Sequence, residues 1–218
     1  MRNLIILLSL IASIFAFNLR QAKQSYDSYV LAVQWSNGYC QIHKCGEKAQ
    51  NIDKNTFTIH GLWPSLKNGK MMRDCTSGIS VYDDDSELFK GMKKNWPSLQ
   101  GSNEKFWEHE LNKHGYCMME EYGWDDYEEY FQFALDLFTR EYKELLIKAF
   151  PNLENIVINV SYDDLKEKIQ NLIPNATFKM NCKSDYITEF YFYLDKNYKP
   201  SVNSRFPSSC KYGKLVFK

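Results

Sequence analysis

Two stretches in the first third of the chain have the hydrophobic pattern of strands. Residues 28–35 are rich in β-branched and aromatic side chains and predict a buried strand, which the turn-forming residues 36–38 end. Residues 57–59 alternate apolar with polar side chains and predict a second strand. His60 then stands at the end of that strand.

The middle of the chain has the periodicity of helices. Residues 104–116 predict one helix, with Ser102 or Asn103 as its N-cap and Gly115 as a C-terminal breaker. Residues 124–150 predict one or two further helices, because apolar side chains recur there at helical spacing. The side chains of this stretch that we expect in the core are Tyr130, Phe131, Ala134, Leu137, Phe138, Tyr142, Leu145 and Ile147.

The last third of the chain combines one helix with strands. Ser161 begins a capping box that predicts a short helix to Leu172, which Pro174 ends. Residues 186–194 alternate aromatic with polar side chains and predict a long strand, and residues 214–217 predict a last one. Strands at both ends with helices between them predict an α+β fold, with a mostly antiparallel sheet packed against several helices.

The first residues have the pattern of a secretory signal peptide. Arg2 precedes an apolar run over residues 4–15, which is too short to span a bilayer, and the small residue Ala16 follows. A buried N-terminal helix is the alternative, but no polar face interrupts the run. We expect cleavage after Ala16, a single domain over residues 17–218, and no later membrane span.

Composition indicates a globular protein without a strong net charge. Hydrophobic residues make up 44% of the chain and aromatic residues 16%, which is enough for one sizeable core. The 27 basic and 27 acidic residues balance, and loss of Arg2 with the signal peptide leaves the rest slightly negative. This excludes a broad polycationic surface, so a nucleic acid would have to bind at a local site. Protonation of the four histidines adds positive charge, which favours work in an acidic compartment.

Six cysteines behind a signal peptide indicate three disulfides, and the sequence alone permits many pairings. Cys40 and Cys45 have no second pair at zinc spacing, so a zinc site is disfavoured. The sequons at Asn159 and Asn175 fit a secretory route as candidate N-glycosylation sites.

Two short segments hold three of the four histidines among aromatic residues and glycines. Residues 57–64 are FTIHGLWP and residues 106–115 are FWEHELNKHG. A histidine pKa of about 6.5 allows proton donation or acceptance near neutral pH. On a helix, the second segment projects a carboxylate and three nitrogen bases from one side, namely His109, Glu110, Lys113 and His114. Lysine and protonated histidine suit the extra negative charge of a phosphodiester under attack, and His60 would complete an acid–base pair.

Both segments resemble the two active-site motifs of the ribonuclease T2 family, RNA endonucleases that favour acid pH and need no metal. The agreement involves many fixed positions in HGLWP and in FW-x-HE-x-x-KHG-x-C, which argues against chance. The resemblance extends to residues 33–35, 39–40 and 96–98 and to Cys210, so it covers essentially all of residues 17–218 as one catalytic domain.

The resemblance implies a metal-independent endoribonuclease that cleaves single-stranded RNA with low base specificity and an acid optimum. In the implied mechanism, His114 takes the proton from the ribose 2′-hydroxyl, which attacks the adjacent phosphorus, and His60 protonates the leaving 5′-oxygen. The product is a 2′,3′-cyclic phosphate, which a second step opens to a 3′-phosphate. His109 is implied to hold the phosphate, while Lys113 and Glu110 stabilise the pentacovalent state. Which of His60 and His114 is the base stays open.

The resemblance also implies RNA contacts and disulfide pairs. Trp63 would stack on a base with little sequence preference, and Gln34 lies in a matching segment beside the substrate. Ser65 stands where many members have an Asp that contacts the upstream base, so base preference stays open. The positions that match a downstream base pocket are Pro97, Ser98 and Phe106. The implied disulfides are Cys40–Cys45, Cys75–Cys117 and Cys182–Cys210.

Two other classes of protein remain as alternatives. A secreted zinc hydrolase would use His109 and Glu110 as the start of HExxH, but Lys113 stands where the second ligand belongs. Loss of activity on chelation would support it. A catalytically silent binding protein would normally have lost one of the motif residues, and all are present. We expect a monomer in the secreted, lysosomal or vacuolar space, with single-stranded RNA as substrate and no cofactor, metal, membrane or stable protein partner.

Overall fold

A computed structural model describes residues 26–46, 52, 55–66, 71, 75, 77–150, 154–201 and 208–217. The signal peptide expected over residues 1–16 lies outside the described residues. Within them, six strands and five helices form an α+β fold with a mostly antiparallel sheet, which confirms the predicted class. No helix in these ranges is both long and apolar enough to cross a membrane.

One sheet contains all the described strands. They are β1 Ser28–Trp35, β2 Phe57–Ser65, β3 Ile156–Ser161, β4 Phe178–Lys183, β5 Tyr186–Leu194 and β6 Tyr212–Phe217. The order is β2-β1-β5-β6-β3, and β4 pairs with β5. The pairings between these strands are antiparallel except for that of β5 with β6.

The helices fall into short and long ones. The short helices are α1 Ser36–Ile42, α2 Glu87–Asn95 and α5 Tyr162–Leu172. The long helices are α3, residues 103–122, and α4, residues 127–149, and each contains a π-helical turn, Leu111–Gly115 in α3 and Phe138–Tyr142 in α4. The side chains of Ser102, Asp126 and Ser161 accept hydrogen bonds from backbone N–H groups and so cap α3, α4 and α5.

Two predicted ends near the N terminus are wrong. Residues 36–38 do not form a turn but begin α1, because the packing of this segment on β5 and β6 outweighs the weak helix preference of its residues. Strand β2 does not end at His60 but continues to Ser65, because β1 pairs with residues on both sides of His60.

Two predictions for the helical region are also wrong. Gly115 does not end α3, because its backbone keeps the right-handed helical conformation with φ -64° and ψ -37°. Its lack of a side chain serves packing instead, since an added Cβ would stand 2.6 Å from Cε1 of Tyr130. The helix ends instead at Gly123, in the left-handed conformation with φ 67°. Ile147 is 38% exposed, because the π-helical turn upstream shifts the apolar stripe of α4.

The main core lies between the helices and one face of the sheet. Strand β1 contributes Tyr29, Leu31, Val33 and Trp35 to it. The opposite face of β1 carries Val30 and Ala32, which pack with Trp63 and Tyr193 in a second, smaller cluster. Through Trp63, the second cluster supports the ring of His60.

The structure forms the three disulfides that the resemblance implies, Cys40–Cys45, Cys75–Cys117 and Cys182–Cys210, so this expectation is confirmed. The middle bridge joins Cys75, in the segment after β2, to the second half of α3.

Candidate active site

A β-bulge in β2 sets the position of His60. Ala32 of β1 pairs with Gly61 and Val33 pairs with Ile59, so His60 is the extra residue between them. Such a bulge bends a strand and redirects its side chains. It allows Ile59 and Leu62, three positions apart, to enter the main core, while the His60 ring packs against Trp63 of the second cluster.

His60 lies between two carboxylates. Its Nδ1 is 2.6 Å from Oε1 of Glu189 on β5, and its Nε2 is 3.5 Å from Oε1 of Glu110 on α3. Burial by itself would lower the pKa of the His60 imidazolium, but Glu110, followed by Glu189, raises that pKa to about 10. His60 is therefore protonated at neutral pH and is chemically suited to donate a proton.

Glu110 joins His60 to Trp63. Its Oε2 accepts a 2.7 Å hydrogen bond from Nε1 of Trp63, and the residue is 1% exposed. Burial would raise the pKa of Glu110, but the positive charge of His60 outweighs it and holds the pKa below its usual value. Gly61 makes this contact possible, since a Cβ there would stand 2.1 Å from Nε1 of Trp63 and 2.3 Å from Oε2 of Glu110.

The histidines of α3 differ in burial. His114 lies within the π-helical turn, is 9% exposed, and has its ring 5.1 Å from the Trp63 ring, which also stands 5.0 Å from the His60 ring. Lys113 is half-buried and His109 is exposed. The structure thus gathers His60, Trp63 and His114 around Glu110, with His109 towards solvent. The spacing of an ordinary α-helix does not hold here, because π-helical turns are wider and recur at functional sites.

The residues predicted to contact RNA differ in how much of their side chains is exposed. The Phe106 ring is half-buried and 5.7 Å from the His60 ring, whereas Trp63 is 4% exposed, which leaves little of its ring for base stacking. Pro97 and Ser98 are buried in the loop between α2 and α3, where the Ser98 hydroxyl accepts a hydrogen bond from the Gly101 N–H.

The base-contact positions on β1 and β2 are also buried. Gln34 is 5% exposed, and its Nε2 donates a 3.4 Å hydrogen bond to Glu189. Ser65 is 1% exposed at the end of β2.

Sequence reasoning missed Glu189 and Tyr191. The Tyr191 hydroxyl donates a 2.9 Å hydrogen bond to Oε2 of Glu189, and the Tyr191 ring meets Trp63 edge to face at 5.1 Å. The alternation along β5 contains the needed signal, since it places an acidic residue and a tyrosine on the face opposite the core. Pairing with Gln34 of β1, which brings Glu189 to His60, is visible only in the fold.

Two further observations concern metals and sequons. Among the residues described, no group of three or more His, Cys, Asp or Glu side chains could hold a metal ion. The candidate glycosylation residues Asn159, on the edge strand β3, and Asn175, after α5, are both exposed.

Comparisons with known proteins agree on one family. The profile of the Ribonuclease T2 family matches residues 26–205. Ribonuclease 1 of Arabidopsis thaliana is 37% identical over 140 residues, an alignment that covers 62% of this chain and 58% of that protein. Ribonuclease Rh of Rhizopus niveus is 33% identical over 190 residues, covering 78% and 73%. The crystal structure of RNase NT in complex with 5′-AMP is 28% identical, with a TM-score of 0.68, and covers 89% of this chain and 98% of that one.

Proposed function

The chain belongs to the ribonuclease T2 family of endoribonucleases, and we propose that it cleaves single-stranded RNA by transesterification. The first product is a 2′,3′-cyclic phosphate, and a second step opens it to a 3′-phosphate. The observation that carries this proposal is the position of His60, which lies between two carboxylates and is separated from a second histidine, His114, by one tryptophan ring.

The charge state of His60 supports a division of roles. With a pKa of about 10, His60 carries two ring protons at neutral and acid pH and is the general acid, so His114 is the general base. His114 removes the 2′-hydroxyl proton as the 2′-oxygen bonds to phosphorus, and Nε2 of His60 protonates the leaving 5′-oxygen. In the second step the roles reverse, with His60 activating water and His114 returning its proton.

The remaining polar residues of α3 act on charge and orientation. His109 and Lys113 would bind the phosphate and stabilise the pentacovalent state through their N–H donors. Glu110 orients His60 and Trp63, since its two oxygens face these two side chains. We assign the phosphate contact to His109 because it is the exposed histidine of the motif.

RNA recognition in this proposal is largely independent of sequence. Phe106 supplies the accessible ring beside His60, and aromatic stacking tolerates any base. We propose that the protein acts as a monomer in the secreted, lysosomal or vacuolar space, as a single domain without its signal peptide. The three disulfides support an oxidising compartment.

The nucleophile provides the test of this function. An RNA strand that carries one 2′-deoxy or 2′-O-methyl sugar should resist cleavage at that linkage alone, because the attacking oxygen is missing or blocked. Mass spectrometry of the unmodified strand should show the cyclic phosphate ahead of the 3′-phosphate. Cleavage at the modified linkage, or 5′-phosphate ends from the start, would contradict the proposal.

A further inference from the structure

We propose that Glu189 is a positioning residue that fixes the ring orientation and the tautomer of His60, and that Tyr191 and Gln34 hold Glu189 in place. The inference rests on the proposed function, in which His60 is the general acid. It assigns a role to a β5 residue that lies outside both histidine motifs.

The sheet register brings the carboxylate to the histidine. Glu189 pairs with Gln34 of β1, and the neighbouring Val33 and Ala32 pair with the residues on either side of His60. Three adjacent strands, β2, β1 and β5, therefore place both side chains on the face opposite the main core. The contact forms only if β2 has its bulge at His60 and β5 pairs with β1 in this register, since a shift of one residue would turn the Glu189 side chain to the other face of the sheet.

Both oxygens of Glu189 are engaged. Oε1 lies 2.6 Å from Nδ1 of His60 and accepts the weaker bond from Gln34, while Oε2 accepts from the Tyr191 hydroxyl at 2.9 Å. The Glu189 side chain is 13% exposed. A carboxylate with partners on both oxygens cannot rotate freely, unlike one in an exposed ion pair, and a charged hydrogen bond of this length is strong.

This contact decides which nitrogen gives up its proton. Glu189 accepts the Nδ1–H of His60, so the ring keeps that proton after transfer, and Nε2 supplies the one that goes to the leaving oxygen. Nε2 lies 3.5 Å from Glu110, a longer contact than the 2.6 Å one at Nδ1, so the Nε2 proton is the less tightly held of the two. Without Glu189, neutral His60 could carry its single proton on either nitrogen.

Tyr191 has a separable part in this arrangement. Its ring packs edge to face on Trp63, and only its hydroxyl reaches Glu189. Tyr191→Phe therefore removes the donor to Glu189 while it keeps the ring contact.

The experiment compares Glu189→Gln with Glu189→Asp in the full chain with its disulfides intact. Glu189→Gln has nearly the same shape but no charge, whereas Glu189→Asp keeps the charge on a shorter side chain. Glu167→Gln, on the exposed side of α5, is the matched control for loss of one negative charge. The readouts are NMR titration of 15N-labelled His60, the pH profiles of kcat and KM on a short RNA, and the thermal unfolding midpoint.

We expect Glu189→Gln to lower the His60 pKa by about one pH unit or more, since burial would then be opposed by Glu110 alone. The alkaline limb of kcat should move down with it, and kcat should fall by about 10-fold or more at little change in KM. Glu189→Asp should lower kcat without moving the limb, and Glu167→Gln should match the native chain.

Several outcomes would overturn the inference. An unchanged His60 titration in Glu189→Gln would do so, and so would a loss of kcat without any movement of the alkaline limb. If Glu189→Gln does not fold, Tyr191→Phe decides, because unchanged His60 tautomer signals and an unchanged kcat there would equally contradict the network. If the His60 pKa falls as expected but His60→Ala still cleaves RNA normally, the proposed function fails while the contact to Glu189 stands.

Discussion

Gly61→Ala tests whether the Trp63–Glu110 contact holds the site together. The new Cβ would stand 2.1 Å from Nε1 of Trp63 and 2.3 Å from Oε2 of Glu110, so it would occupy the space of their hydrogen bond. Neither partner can move away easily, because Trp63 is 4% exposed and packed in the second cluster, and Glu110 is 1% exposed. We expect one or both to shift and the hydrogen bond to break.

The expected magnitude follows from two costs. Overpacking of a buried site typically costs about 1–3 kcal/mol. A buried donor or acceptor left without its partner costs about 1–3 kcal/mol more. We therefore expect the free energy of unfolding to fall by about 3 kcal/mol, which corresponds to a decrease of about 6–12 °C in the unfolding midpoint for a chain of this size. RNA cleavage should fall by about 10-fold or more, because Glu110 also faces His60.

The assay is thermal unfolding together with the initial rate on a short RNA. Gly101→Ala is the matched control, since a Cβ at that position has no atom within 4 Å, and it should change neither quantity. Adding Trp63→Phe to Gly61→Ala should restore part of the stability by removing the crowded Nε1, but not the activity. A Gly61→Ala protein with native stability and native cleavage would refute the reasoning.

Two further predictions concern the histidine pair and pH. His60→Ala and His114→Ala should each lower kcat by about 100-fold or more without multiplying in the double variant, because acid and base act in one step; a folded single variant with near-native rates would contradict the pair. Because an acid must be protonated, kcat should persist above neutral pH and fall only as the pH rises past the His60 pKa of about 10. Steady-state kinetics in which kcat already falls well below that pH would contradict this role of His60. The His60 ion pairs also stabilise the folded protein. This contribution is fully present below the pKa that His60 has in the unfolded chain, and it is lost as the pH rises through the folded-state pKa of about 10.

The elements that the sequence predicts best are those whose apolar residues recur at a regular helical or strand spacing, or that begin at a recognisable cap. The alternation of β5 and the caps of α3 and α5 are local features, and the structure confirms them. Strand β3 has no alternating pattern that distinguishes it, because as an edge strand it is paired on one side only and remains largely exposed. Its existence depends on β6, which lies more than fifty positions further along the chain.

The same distinction applies to the site. His60, Glu110 and His114 lie in compact motifs, so the sequence is enough to propose them as candidate site residues. Glu189 is far from these motifs in the sequence, and it reaches His60 only because three strands pair in one register. The burial of Trp63 could not be predicted from the sequence either, because a tryptophan side chain is common both in cores and on binding surfaces. In the structure Trp63 is 4% exposed and donates a hydrogen bond to the buried Glu110.

The bulge at His60 places this residue outside the strand pairing between β1 and β2. His60 is the one residue between Phe57 and Ser65 that has no partner across β1, so its side chain can change while every paired position of the strand is kept. A lineage that lost this histidine would keep the strand pairing of its sheet and its disulfides. It would lose some stability, because Glu110 and Glu189 would lose the positive charge between them, and it would lose the group that we propose as the proton donor. The fold can therefore persist after the activity is lost. A folded descendant of such a protein is expected to be active only if the residue in the bulge is still a histidine.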